Sequence, residues 1–163
     1  MSNVIWVDEN DNVLGEITRE KAHQEGLLHR VAVIYLVNDK GDILVNERAK
    51  DGHFDHSSAG HVDVGENYFE AAKRELEEEL GVVDVELQNI GSSCAQDKNK
   101  MFNSRHIFRV YVCKANPVKL KKDEVKSVYW ANPKKIYEDM KINPQNYTGG
   151  FKSTLRLFLS TKL

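Results

Sequence analysis

The chain has 163 residues, 40% of them hydrophobic and 29% charged, with a formal net charge of −2. This is the balance of an ordinary globular chain with room for one core. So small a charge leaves no footprint for nucleic acid or an anionic membrane, and an anionic ligand would have to be drawn in by local groups or metal ions. The apolar runs are too short to span a bilayer, and the opening "MSNVIWVDENDN" has no basic n-region. Neither a membrane span nor a signal peptide is expected, and the expected location is the cytoplasm. Cys94 and Cys113 are the only cysteines. Both fall in apolar, strand-like stretches and are expected to be buried, reduced thiols.

In chain order, residues 4–8 and 13–17 read as a hairpin around a polar turn, and "TREKAHQEG" as a short helix stopped by Gly26. "HRVAVIYLVNDKGDILVNERA" then gives two strands joined by a turn at 38–42. A long helix is predicted over 68–80, with Asn67 as N-cap, Glu70 at the capping-box position and Gly81 as the stop. Strands are predicted at 82–90 (irregular), 107–114 and 125–130, and helices near 133–140 and 151–160. No linker or repeat divides the chain, so residues 1–163 are expected to form one domain, with the hairpin and short helix at about 1–28. Strands mixed with helices in this order predict an α/β fold, a mixed sheet flanked by helices.

The long helix poses a chemical problem. "GHVDVGENYFEAAKRELEEELGV", residues 60–82, holds seven acidic residues, six of them glutamates, and like charges three or four apart on a helix repel. On a helical wheel Phe69, Ala72, Leu76 and Leu80 form one stripe, the expected buried face. Glu70 and Glu77 lie on the far side as solvated charges. Glu75, Glu78 and Glu79 border the stripe instead. Three partly desolvated carboxylates need a cation. Arg74 alone cannot balance them, and hard divalent ions prefer such oxygen ligands.

The spacing is Gly60, five residues, Glu66, seven residues, Arg74-Glu75-Leu76, one residue, Glu78-Glu79, one residue, Gly81-Val82. It is the full signature of the Nudix hydrolases. A chance match is on the order of one in a billion per starting position at average residue usage, so the chain is identified as resembling that family. The resemblance implies an α/β/α sandwich with a loop–helix–loop motif, and Mg²⁺- or Mn²⁺-dependent hydrolysis of a nucleoside diphosphate linked to another moiety. It also implies a cytoplasmic enzyme acting on a small molecule, in a family where homodimers are common. Glu75, Glu78, Glu79 and the Gly60 carbonyl would then hold the metal. Arg74 would orient Glu75, and Glu66 would brace the loop. Glu124, or second Asp123, in "KKDEVKSVYW" would add an acidic ligand, with Glu75 or Glu124 as the general base.

Residues 4–82 further resemble the subgroup related to type I isopentenyl diphosphate isomerases. Those enzymes place a catalytic cysteine before a Gly-His pair. Here Gly60-His61 follows Ala59, and the full hydrolase helix is kept; both point to hydrolysis. Arg48 sits where relatives place a phosphate-contacting base, with Lys50 nearby. His23, His29 and His61 resemble the isomerases' metal-binding histidines, but capped or hydrogen-bonded structural histidines are the expectation for each. His53 and His56 form a weak zinc-like pair. "NYTGGF" reads as a turn entering the last helix; the sequence does not say whether Phe54, Tyr147 or Phe151 stacks on a base.

Overall fold

The structure is a computed structural model and describes residues 3–163. The N-terminal hairpin is β1 (Asn3–Val7) and β2 (Val13–Thr18), followed by α1 (Arg19–Glu25). Thr18 caps α1 by accepting from the Lys21 amide, and Gly26 ends it in the left-handed region at φ 65°, a conformation open to glycine at little cost. The central strand is β3 (His29–Val37), followed by β4 (Ile43–Arg48), the short β5 (Phe54–Asp55) and β6 (Ser58–His61). The motif helix α2 (Tyr68–Leu80) leads to β7 (Gln88–Lys98), β8 (Asn103–Lys114) and β9 (Val125–Ala131). Two helices close the order, α3 (Pro133–Ile142) and, after a 3-10 turn, α4 (Gly149–Ser160).

These strands make one mixed sheet of nine, with β3 at its hub. β3 pairs in parallel with β8 over His29–Val37, and antiparallel with β6. β4 pairs with β5 and β9, and β8 with β7. The alternation along β3 sends Val31, Val33 and Tyr35 to one face, against Ile136 and Met140 of α3 and Phe151, Leu155 and Phe158 of α4. Ala32, Ile34 and Leu36 go to the other, against Ala71, Ala72, Leu76 and Leu80 of α2. A sheet with helices on both faces is the α/β sandwich expected.

Four details differ from the sequence reading. Phe69 is 44% exposed, and Tyr68 takes its place in the buried face of α2. The Tyr68 ring carries the guanidinium groups of Arg30 and Arg109 at about 5 Å, and its hydroxyl donates to Asp11. Those partners come from three other segments, which turns the helix toward Tyr68. The stretch 82–87 stays outside the sheet, and β7 begins only at Gln88 and runs on through polar residues that carry no clear alternation. Cys94, on that strand, is exposed, whereas Cys113 is buried; both are free thiols.

Candidate functional site

Gly60 lies on β6 against the middle of α2. A Cβ at this position would collide with the Glu75 carboxyl group, so a side chain here would push that carboxyl out of its place. The capping box at the start of α2 is complete: Asn67 accepts from the Glu70 amide at 2.8 Å, and Glu70 accepts from the Asn67 amide at 3.1 Å. Gly81 ends the helix at φ 68°.

Arg74 is the hub between helix and loop. Its Nε and Nη2 donate to Glu66 at 2.6 and 2.9 Å, its Nη1 to Glu75 at 2.6 Å, and its Nη2 to the His61 carbonyl at 3.1 Å. Glu66 also accepts from the Asp63 amide at 3.0 Å. A planar guanidinium suits this work, since its fork can serve several acceptors at once. Glu78 lies 3.5 Å from Arg74 and is half exposed.

Glu79 is buried, and its Oε1 accepts from the Ser58 hydroxyl at 2.5 Å and the Ala59 amide at 3.1 Å. Burial pushes its pKa up to about 8, with the nearby Glu75 adding to the rise. Glu75 is raised too, by burial first and by Glu78 and Glu124 among its neighbours, against the pull of Arg74. Arg74 is the one cation paired with Glu75 and Glu78, and among the described residues none is paired with Glu79.

Glu79, Ala59, Asp123 and Glu124 open on a cavity of about 240 Å³ that Asn46, Arg48, Lys50, Asp55 and His56 also line. The structure thus brings both acidic candidates of the 121–124 turn, and the basic candidates Arg48 at the end of β4 and Lys50 just after it, to the place where Glu79 sits. Glu124 is paired with Lys121 at 3.0 Å, its carbonyl accepts from the Ala49 amide, and Arg48 is paired with Asp51. A larger, open depression of about 910 Å³ among Val37, Phe69, Leu87, Val112 and Lys114 contains none of the motif's carboxylates.

Sequence reasoning missed Asn46 and Asp55. They face each other across the β4–β5 ladder. Asp55 is held down at about 2 despite its burial, chiefly by the His56 imidazole and the Arg48 guanidinium. No residue pattern flags a two-residue strand in advance. The structure also places the aromatic residues that the sequence left open, and it corrects the zinc-like pairing of His53 and His56. Phe151 and Tyr147 are core residues, and Phe54 packs half-buried on Tyr147 and Tyr129. His53 lies 3.2 Å from Asp51, and His56 lies 2.7 Å from Asp55, so each imidazole has its own carboxylate and no shared site forms.

His29 is hydrogen-bonded to the Leu27 carbonyl, as expected of a structural histidine, but His23, His29 and His61 also converge, and His106 joins them. One ligand atom from each lies within 4.8 Å of the others. His106 is brought in by the parallel pairing of β8 with β3, which sets it beside His29; nothing local in the sequence reveals that register. Burial lowers the pKa of all four, so the cluster is held uncharged.

The NUDIX domain profile matches residues 27–149. An uncharacterised Nudix hydrolase of Pseudomonas aeruginosa is 30% identical over 162 residues, covering 96% of this chain and 92% of the relative. An isopentenyl-diphosphate Delta-isomerase of Serratia proteamaculans is 30% identical over 161 residues, covering 94% and 89%. A solved Deinococcus radiodurans structure superposes with a TM-score of 0.74 at 22% identity, covering 94% of this chain and 97% of the other; at that identity the likeness is one of fold. With the motif, the fold and these relatives in agreement, the chain belongs to the Nudix family, as a hydrolase of phosphoric anhydride bonds.

Proposed function

We propose that the chain is a Mg²⁺- or Mn²⁺-dependent pyrophosphohydrolase that cleaves the diphosphate linkage of a nucleoside diphosphate derivative. The observation that carries the reading is the buried Glu79, oriented by Ser58 and Ala59 at the edge of a cavity with basic residues on its rim. Divalent metals are general in the family, and the donor set fits one. The glycine at position 60 brings its strand into contact with Glu75, and Glu75, Glu78 and Glu79 offer hard oxygen ligands on one side of α2. Glu75, Glu78, Glu79, the Gly60 carbonyl and Glu124 would hold the ion, with Asp123 second to Glu124. When bound, it would screen the diphosphate's charge and acidify the attacking water.

The remaining work falls to the chain itself. Arg74 fixes the Glu75 rotamer and, through Glu66, the loop that carries it. Arg48 and Lys50 meet the phosphate oxygens. Glu75 or Glu124 takes the water's proton. The test is a Mg²⁺ assay of nucleotide sugars, dinucleotides, nucleoside di- and triphosphates and coenzyme A, read by released phosphate products, with isopentenyl diphosphate followed by NMR. Hydrolysis without isomerisation is expected, because Ala59 offers no thiol. Isomerisation without hydrolysis would reverse the assignment.

The histidine cluster supports a second metal centre, which the isomerase resemblance also implies. His29 Nδ1 lies 2.8 Å from the Leu27 carbonyl and must donate to it. That fixes the tautomer and leaves Nε2 as an acceptor, 3.2 Å from His23 Nε2. His61 Nε2 is buried without a hydrogen-bond partner among the described residues. Four neutral imidazoles suit a borderline cation such as Zn²⁺ better than Mg²⁺. Protein purified without added metal should carry about one such ion per chain by elemental analysis, and His29→Ala should lose it. A metal-free wild type that also fails to take up Zn²⁺ would remove this centre.

A further inference from the structure

We propose that Asn46 and Asp55 are the specificity-determining pair of the cavity, and that they accept hydrogen bonds from the vicinal diol of a sugar ring next to the substrate's diphosphate. The proposal rests on the hydrolase reading above.

The two residues are directly opposed on β4 and β5, so their side chains project from the same face of the ladder as close neighbours. Asn46 is 5% exposed. Its Nδ2 donates to the Ser57 carbonyl at 3.3 Å, which orients the amide and leaves Oδ1 buried without a partner among the described residues. Asp55 Oδ1 accepts from the Thr148 hydroxyl at 2.8 Å and the His56 amide at 2.9 Å. Among the described residues no hydrogen-bond donor reaches its Oδ2. Both residues line the cavity that Glu79 and Glu124 border. Two directly opposed residues of the lining therefore each keep one acceptor oxygen without a donor among the described residues.

A buried acceptor left without a donor is costly, and native structures rarely keep one without a reason. Two adjacent acceptors, one a carboxylate, repel a phosphate. They call for two donors on neighbouring atoms, as a cis-diol presents, and acidic side chains hold ribose hydroxyls elsewhere in this manner. The rest of the cavity agrees. Its lining is polar or charged except for Ala59, which suits a hydrophilic ring. Its volume of about 240 Å³ falls below the range of about 300–1,000 Å³ usual for drug-sized ligands, so it takes a compact group and the phosphate beside it. Arg48 and Lys50 supply the positive charge on the same lining that the phosphates need.

The test compares ribonucleoside diphosphates with their dideoxy counterparts on the wild-type enzyme in Mg²⁺. A site built to bond hydroxyls rejects analogues that lack them, and kcat/KM should fall by about 100-fold or more. Asn46→Ala, which keeps the Asp55–Thr148 contact, should reduce that preference, read as the ratio of kcat/KM on the two sugars in the same enzyme, by about tenfold. Equal wild-type rates on both sugars would overturn the diol assignment and leave the hydrolase reading standing. So would an unchanged preference in Asn46→Ala. Failure of the wild type to hydrolyse any diphosphate would overturn the hydrolase reading, and this proposal with it.

Discussion

Glu124 and Asp123 are adjacent and acidic, yet their settings differ by one bond. Glu124 is tied to Lys121 and lies close enough to Glu75 to raise its pKa, while Asp123 only shares the cavity wall. If Glu124 acts on the attacking water, Glu124→Gln should lower kcat by about 100-fold or more and change KM little, whereas Asp123→Asn should stay near wild type. Steady-state kinetics on both variants decide it, and a loss confined to Asp123→Asn would exchange their roles. The histidines make a complementary point at this scale. Each one, read locally, is a reasonable structural residue, and three of the four were visible as a resemblance. Only the register His29 with His106 turns them into a group, and strand register is a tertiary fact that residue spacing does not carry.

At the scale of elements, α2 was legible because every local cue agreed: cap, capping box, apolar stripe and glycine stop. Its helical rotation was read slightly wrong, since Phe69 is half exposed over Lys73 while Tyr68 is drawn inward by Arg30, Arg109 and Asp11. Pairwise spacing cannot anticipate partners 38 to 57 residues away. The β7–β8 hairpin was only half legible, because "NIGSSCAQDK" is a largely exposed strand and gives no alternation to read. The capping box itself makes a measurable claim. Asn67→Ala removes the side-chain acceptor for the Glu70 amide, and should cost about 1 kcal/mol, a fall of about 2–4 °C in Tm for a chain of this size. Calorimetry checks this. An unchanged Tm would mean that packing of α2 on the sheet alone fixes the helix start.

At the scale of the whole molecule, two apolar layers on opposite faces of one sheet hold β3, β6 and α2 rigidly around Gly60. Among the described residues no helix is long and apolar enough to cross a membrane. The catalytic candidates were legible at the motif because the chemistry demands a fixed spacing there; the cavity floor was not, because β5 is two residues long. The central claim is that divalent-metal-dependent hydrolysis depends on the buried side of α2. Its most direct test is one assay of phosphate release from a hydrolysed diphosphate, run on wild type in Mg²⁺, on wild type after dialysis against EDTA, and on Glu79→Gln in Mg²⁺. Chelation should abolish turnover and Mg²⁺ should restore it, while Glu79→Gln should be slower by roughly a thousandfold with an unchanged circular dichroism spectrum. Full turnover in chelator, or near wild-type turnover by Glu79→Gln, would contradict the account.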